Sequence, residues 1–146
     1  MSRYLVVANQ TVTNPLLIGE LKALCRQDSG AEFVLLAPAT PVRDLLFRRG
    51  TDEKAEAVAR KHVDKARATY AKEGISLTDA HVGGADPVAA IEQELQADVE
   101  YTAVVISTLP GGDSRWLKQQ LPQTVESKFG LPVILVEAPP AWTYVP

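Results

Sequence analysis

A single cysteine, Cys25, stands among 146 residues, so an internal disulfide is excluded and a reducing compartment is the natural setting. Two histidines, His62 and His81, cannot build a zinc site without further nitrogen or sulfur ligands. No apolar run comes near the roughly 20 residues needed to cross a bilayer. The opening Met1-Ser2-Arg3-Tyr4 passes straight into an apolar run, without the charged region, long apolar region and small-residue cleavage site of a signal peptide. Lysine and arginine form no block and the net charge is −3, whereas affinity for a phosphate backbone needs clustered cations. The expected setting is therefore the cytoplasm, with neither membrane nor nucleic acid as partner. No Ser/His/Asp or Cys/His spacing and no paired loop carboxylates suggest a catalytic set, so no enzyme is expected.

What is present is the material of a packed core: 46% of the residues are hydrophobic and 23% charged. Five short apolar runs, at residues 4–8, 33–37, 76–82, 103–107 and 133–136, read as strands. Three are nearly continuous rather than alternating, which suits strands covered on both faces. The third is more polar and suits an edge. Helical patterns fill the gaps. Asn14-Pro15 is a start signal, after which Leu17, Leu21, Leu24 and Cys25 share a face. Residues 52–73 form the longest helix, with Ala55, Val58, Ala59, His62, Val63, Ala66, Thr69 and Tyr70 on its inner side. Asp86-Pro87 starts a third helix with Val88, Ile91 and Leu95 inside, and Gly130 stops a last one. Pro122 divides the segment before it, predicting a short turn of helix at 114–119 and a main helix from about Gln120 or Leu121.

The alternation predicts one α/β domain over residues 1–146, a parallel sheet with helices on both faces. Residues 38–51 form the longest irregular connection, with Leu45-Leu46-Phe47 suited to a short helix over the sheet. Residues 139–146 form a proline- and aromatic-containing tail with Trp142 and Tyr144.

In an open parallel sheet, ligands sit beyond the carboxyl ends of the strands where the strand order reverses. For a five-stranded order 3-2-1-4-5 that point lies between strands 1 and 4. The loops that meet there are 9–14 and 107–115. The first carries Asn9, Gln10 and Thr11, all able to donate and accept hydrogen bonds. The second carries the hydroxyls of Ser107, Thr108 and Ser114, the glycines Gly111 and Gly112, and Arg115, whose planar cation suits phosphate. Asp113 works against an anion there. His62 reads as a structural residue of the long helix, and His81 as a polar residue near the ligand side of the third strand.

The opening strand with its polar loop, the Gly84-Ala85-Asp86-Pro87-Val88-Ala89-Ala90-Ile91 segment and the closing Leu131-Pro132-Val133-Ile134-Leu135-Val136 together resemble the universal stress protein family, over nearly the whole chain. The resemblance implies the five-stranded order 3-2-1-4-5, an adenine nucleotide such as ATP as ligand, and a homodimer through the last strand, at Val133, Ile134, Leu135 and Val136. It extends the expected contacts to Ala8 and to Pro38 and Ala39. It also brings departures. Gly112 takes one glycine position of the family's phosphate loop, Leu109 stands at another, and Gln119-Gln120 stand where the loop closes on Gly-Ser or Gly-Thr. Asn9 replaces the usual aspartate. A divergent member with weak nucleotide binding is the expectation, with phosphate charge supplied by Arg115 or by Arg48 and Arg49. Two readings stand side by side. One is a regulatory or stress-response protein that binds an adenine nucleotide. The other is a non-nucleotide interaction module acting as a homodimer.

Overall fold

A computed structural model of the chain describes residues 2–39, 52–96, 100–110, 115–118 and 120–138. Ten elements follow in order: β1 (Arg3–Val7), α1 (Pro15–Gln27), β2 (Glu32–Pro38), α2 (Asp52–Lys72), β3 (Leu77–Gly83), α3 (Pro87–Leu95), β4 (Ala103–Thr108), α4 (Arg115–Lys118), α5 (Leu121–Phe129) and β5 (Val133–Glu137). The strands form one parallel sheet in the order β3-β2-β1-β4-β5.

Local chemistry sets the helix starts. The Asn14 side chain accepts from the Leu16 N–H, and Pro15 follows at a position that needs no donor. Asp86 does the same for the Val88 and Ala89 N–H groups, ahead of Pro87. Pro122 likewise sits in the first turn of α5, and Gly130 closes that helix with a left-handed φ of 68°. Between α4 and α5, Gln120 also adopts a left-handed backbone, φ 56°, so the break expected at Pro122 is made one residue before α5 begins.

Two apolar layers sandwich the sheet. On one face Val6, Ala8, Leu35, Ala37 and Val105 meet Leu17, Leu21 and Leu24 of α1 and Ala59, Val63, Ala66 and Tyr70 of α2. On the other, Leu5, Val7, Val34, Leu36, Val104 and Ile106 meet Ala90 and Ile91 of α3, Trp116 of α4, and Leu121 and Val125 of α5. Every residue of β4 and all but the first of β1 are buried. Each such Val, Leu or Ile contributes about 1.5–3 kcal/mol through removal from water. The chain turns one way from β1 through β2 to β3, then returns across the sheet to β4. Right-handed crossovers put α1 and α2 on one face and α3, α4 and α5 on the other. At Gly83 the α3 layer comes so close that an added Cβ would lie 2.8 Å from the Ala90 Cβ.

The structure corrects several residues of the expected pattern. Val58 is 41% exposed, so the inner stripe of α2 is narrower than its spacing suggests. Ile18, not singled out, is buried on α1, while Cys25 is only half-buried at the rim of the core. Strand β2 runs on to Pro38, and β4 takes in Thr108. The expectations for residues 40–51 and for the tail at 139–146 lie outside the described residues. Among the described residues no helix is long and apolar enough to cross a membrane.

Tyr70 ties the two layers of sequence together. Its buried hydroxyl donates to the Val12 carbonyl at 2.7 Å, and burial pushes its ionisation far above the ordinary range. Tyr70→Phe leaves that carbonyl without its donor, and chemical denaturation is expected to show a loss of about 1–2 kcal/mol.

Candidate functional site

The sheet order reverses between β1 and β4, and their carboxyl ends open side by side. The segment leaving β1 is tightly folded. The Val12 N–H reaches the Asn9 carbonyl at 3.4 Å and the Asn14 N–H reaches the Thr11 carbonyl at 3.0 Å. This turn brings Thr11 over β4, where its Oγ1 lies 2.6 Å from Ser107 Oγ.

Both hydroxyls are buried, Thr11 at 5% and Ser107 at 1% exposure. Ser107 belongs to the strand and not to the loop, on the same face as Val105 and Ala103 by alternation. The structure gives both hydroxyls, expected as ligand contacts, a partner inside the fold. One donates to the other, and the pair staples the β1–α1 turn to the neighbouring strand. Thr108 is also buried, and its carbonyl accepts from the Ala138 N–H at 2.7 Å.

Asn9 is committed as well. Its Nδ2 donates to the Pro38 carbonyl at 2.9 Å, and its Oδ1 lies 2.5 Å from His62 Nδ1. Pro38 can only accept through its carbonyl, so the amide orientation is settled: Nδ2 gives and Oδ1 receives. His62 Nδ1 must then carry the hydrogen. His62 was read from sequence as a helix-packing residue. The structure places it half-buried against a candidate site residue, at the carboxyl ends of β1 and β2. The available signal was a polar residue on an otherwise apolar stripe, which by itself names no partner. Burial lowers its proton affinity below the ordinary histidine value, and the Lys65 charge adds to this.

The remaining expected residues divide into three groups. Ala8, Pro38 and Ala39 are buried, with the Ala8 N–H given to the Leu36 carbonyl and the Ala39 N–H to the Gly83 carbonyl. Gln10 and Gln120 are exposed, and Arg115 opens α4. Gly111, Gly112, Ser114 and Gln119 lie outside the described residues. Among the described residues no group of three His, Cys, Asp or Glu side chains is placed to hold a metal ion. A shallow depression lined by Arg67, Ala71, Ile75 and Leu77 lies at the start of β3, the opposite end of the sheet from this crevice.

His81 serves the edge strand. Its Nδ1 pairs with Glu94 of α3 and its Nε2 lies 2.8 Å from Asp79, which Arg67 approaches at 3.9 Å. Desolvation works against the imidazolium, but the two carboxylates outweigh it and raise the proton affinity above the ordinary value. The proton affinities of the two histidines are thus shifted in opposite directions. The proton on His81 favours the folded chain, so its contribution is fully present below pH 6.5 and is lost as pH rises through its raised folded value. Protonation of His62 favours the unfolded chain, so its cost emerges only as pH falls below 6.5. The His81 side chain is 40% exposed and solvent-screened, so the effect is small. Melting temperatures of wild type and His81→Gln are expected to differ most below pH 6.5 and to converge as the solution is made alkaline.

No protein-family model and no curated protein sequence matches the chain. Solved structures do. A universal stress protein family protein from Arabidopsis thaliana, solved with AMP bound, matches with a TM-score of 0.64 at 13% identity over 99% of this chain and 96% of its own. The universal stress protein from Archaeoglobus fulgidus matches at 0.59 and 17% identity over 94% of each chain. A universal stress protein in complex with cAMP matches at 0.54 and 13% identity, over 94% of this chain and 97% of its own. At such identities the likeness is one of architecture: this chain has the universal stress protein fold, with the strand order β3-β2-β1-β4-β5.

Proposed function

We propose that the protein is a cytoplasmic regulatory or stress-response protein that binds an adenine nucleotide weakly where β1 and β4 part. The supporting observation is the reversal of strand order at the polar ends of these two strands, in a fold whose solved examples include one with AMP and one with cAMP. A crevice at such a reversal is the general ligand position of open parallel sheets.

Weakness follows from side chains already spent. Thr11 and Ser107 share a hydrogen bond, and Asn9 is held between Pro38 and His62. A ligand that needs the hydrogens or lone pairs engaged there must break bonds already made. Leu109, Gln119 and Gln120, where the resembled phosphate loop has glycine or a hydroxyl residue, place side chains where backbone would approach phosphate. The remaining contacts proposed are exposed Gln10 and, from the sequence, Gly111, Gly112, Ser114 and Arg115. Titration calorimetry with AMP, cAMP and ATP is expected to give dissociation constants of about 0.1–1 mM, equivalent to roughly 4–5.5 kcal/mol. No heat or spectral change at several millimolar of any of the three rejects the nucleotide.

A specific observation also supports self-association. β5 is a sheet edge, and Leu135 on it is 41% exposed between half-buried Ile134 and buried Val136. An edge strand with an outward leucine suits pairing with a second copy through Val133, Ile134, Leu135 and Val136. Sedimentation of the wild-type chain is expected to show a dimer and Leu135→Lys a folded monomer. A monomeric wild type at 0.1 mM would end this reading while leaving the nucleotide untouched.

A further inference from the structure

The hydrogen bonds at the ends of β1 and β2 leave one nitrogen over. His62 donates from Nδ1 to Asn9 Oδ1, and Asn9 passes its own donor to the Pro38 carbonyl. A neutral imidazole with its hydrogen on Nδ1 has a lone pair on Nε2, a good acceptor. Among the described residues Nε2 has no hydrogen-bond partner, yet no buried side-chain nitrogen or oxygen goes without one. Nε2 is therefore not sealed in the core, on a ring tied through Asn9 to the Pro38 end of β2.

The ring is also held. Rotating it breaks the bond to Asn9, and rotating Asn9 sets its carbonyl oxygen against that of Pro38. A preorganised group contributes more to recognition than one that must first be ordered. Burial lowers the imidazole's proton affinity and favours the neutral ring, with Lys65 on its own helix adding to this and the Asn9 amide bonded to it from the end of β1.

We propose that His62 is a ligand contact of this site, its Nε2 accepting a hydrogen bond from an N–H or O–H of the bound molecule, and that Asn9 is a positioning residue for it. The inference rests on the nucleotide reading above. An adenine nucleotide carries two kinds of such donor, the exocyclic amine of the base and the hydroxyls of the ribose. A site that hydrogen-bonds a donor rejects an analogue lacking it, because the acceptor is then desolvated without compensation. His62 would thereby set which nucleotide is accepted.

The test compares AMP with inosine monophosphate, which has a carbonyl in place of the amine, and with 2′-deoxy-AMP and 3′-deoxy-AMP. Wild type is expected to favour AMP over one of these analogues by about tenfold, the equivalent of one hydrogen bond. In His62→Ala that preference falls to about twofold or less, and His62→Gln, which keeps an acceptor, restores part of it. A preference for the amine and one for the ribose are told apart by which analogue is penalised. Ring-nitrogen NMR of the wild-type protein needs no variant: His62 is expected as the Nδ1–H form, with Nε2 shifting when AMP is added. If AMP perturbs the backbone amides of Ala39 and Thr108 but leaves Nε2 unmoved, or if discrimination survives in His62→Ala, the assignment of His62 is wrong and the nucleotide reading stands. If AMP perturbs nothing, both fall together.

Discussion

Burial of both faces of the two central strands is the constraint on which the rest of the molecule depends. β1 and β4 carry Val, Leu, Ile and Ala in unbroken runs, and a strand apolar on both sides is stable only between two layers. Helices must therefore lie on each face, and the chain must cross the sheet to supply the second layer. That crossing, from β3 at one edge to β4 beside β1, creates the reversal and the crevice with it. The polar residues of the strands are displaced to their ends for the same reason: Asn9, Thr11, Ser107 and Thr108 stand where the apolar sandwich stops.

Those polar residues show how a crevice is kept rigid. A hydroxyl at the edge of a core must find a partner, and the nearest partner of Ser107 is Thr11 from the neighbouring strand's loop. Asn9 takes its partners from β2 and α2. Tyr70 adds a third tie, from α2 to the turn carbonyl of Val12. The β1–α1 turn is thus fastened to β4, β2 and α2 at once. The same bonds that hold it engage polar side chains at the crevice.

The two sheet edges are treated differently. β3 carries polar outward residues and an ionic bracket in which His81 stands between Asp79 and Glu94, with Arg67 reaching the Ala80 carbonyl from α2. Charge on an edge discourages pairing with another chain. β5 has an exposed leucine instead. The two edges of the sheet thus present different chemistry to solvent.

The sequence by itself determined the elements and the class of fold. Asn14-Pro15, Asp86-Pro87, Pro122 and Gly130 act through their own backbones and immediate neighbours, so the helix limits they impose were legible without tertiary knowledge. The continuous apolar strands required two covering layers, and the polar third strand read correctly as an edge. What only the tertiary structure decided was the fate of each polar group at the crevice. Thr11 and Ser107 are 96 residues apart, and Asn9 and His62 are 53 apart. No local spacing announces a bond across such distances. Whether a hydroxyl or an amide is open to a ligand or already satisfied depends on which strand the sheet places beside it. That placement is a property of the whole fold, because strand order is settled by burying every apolar face at once.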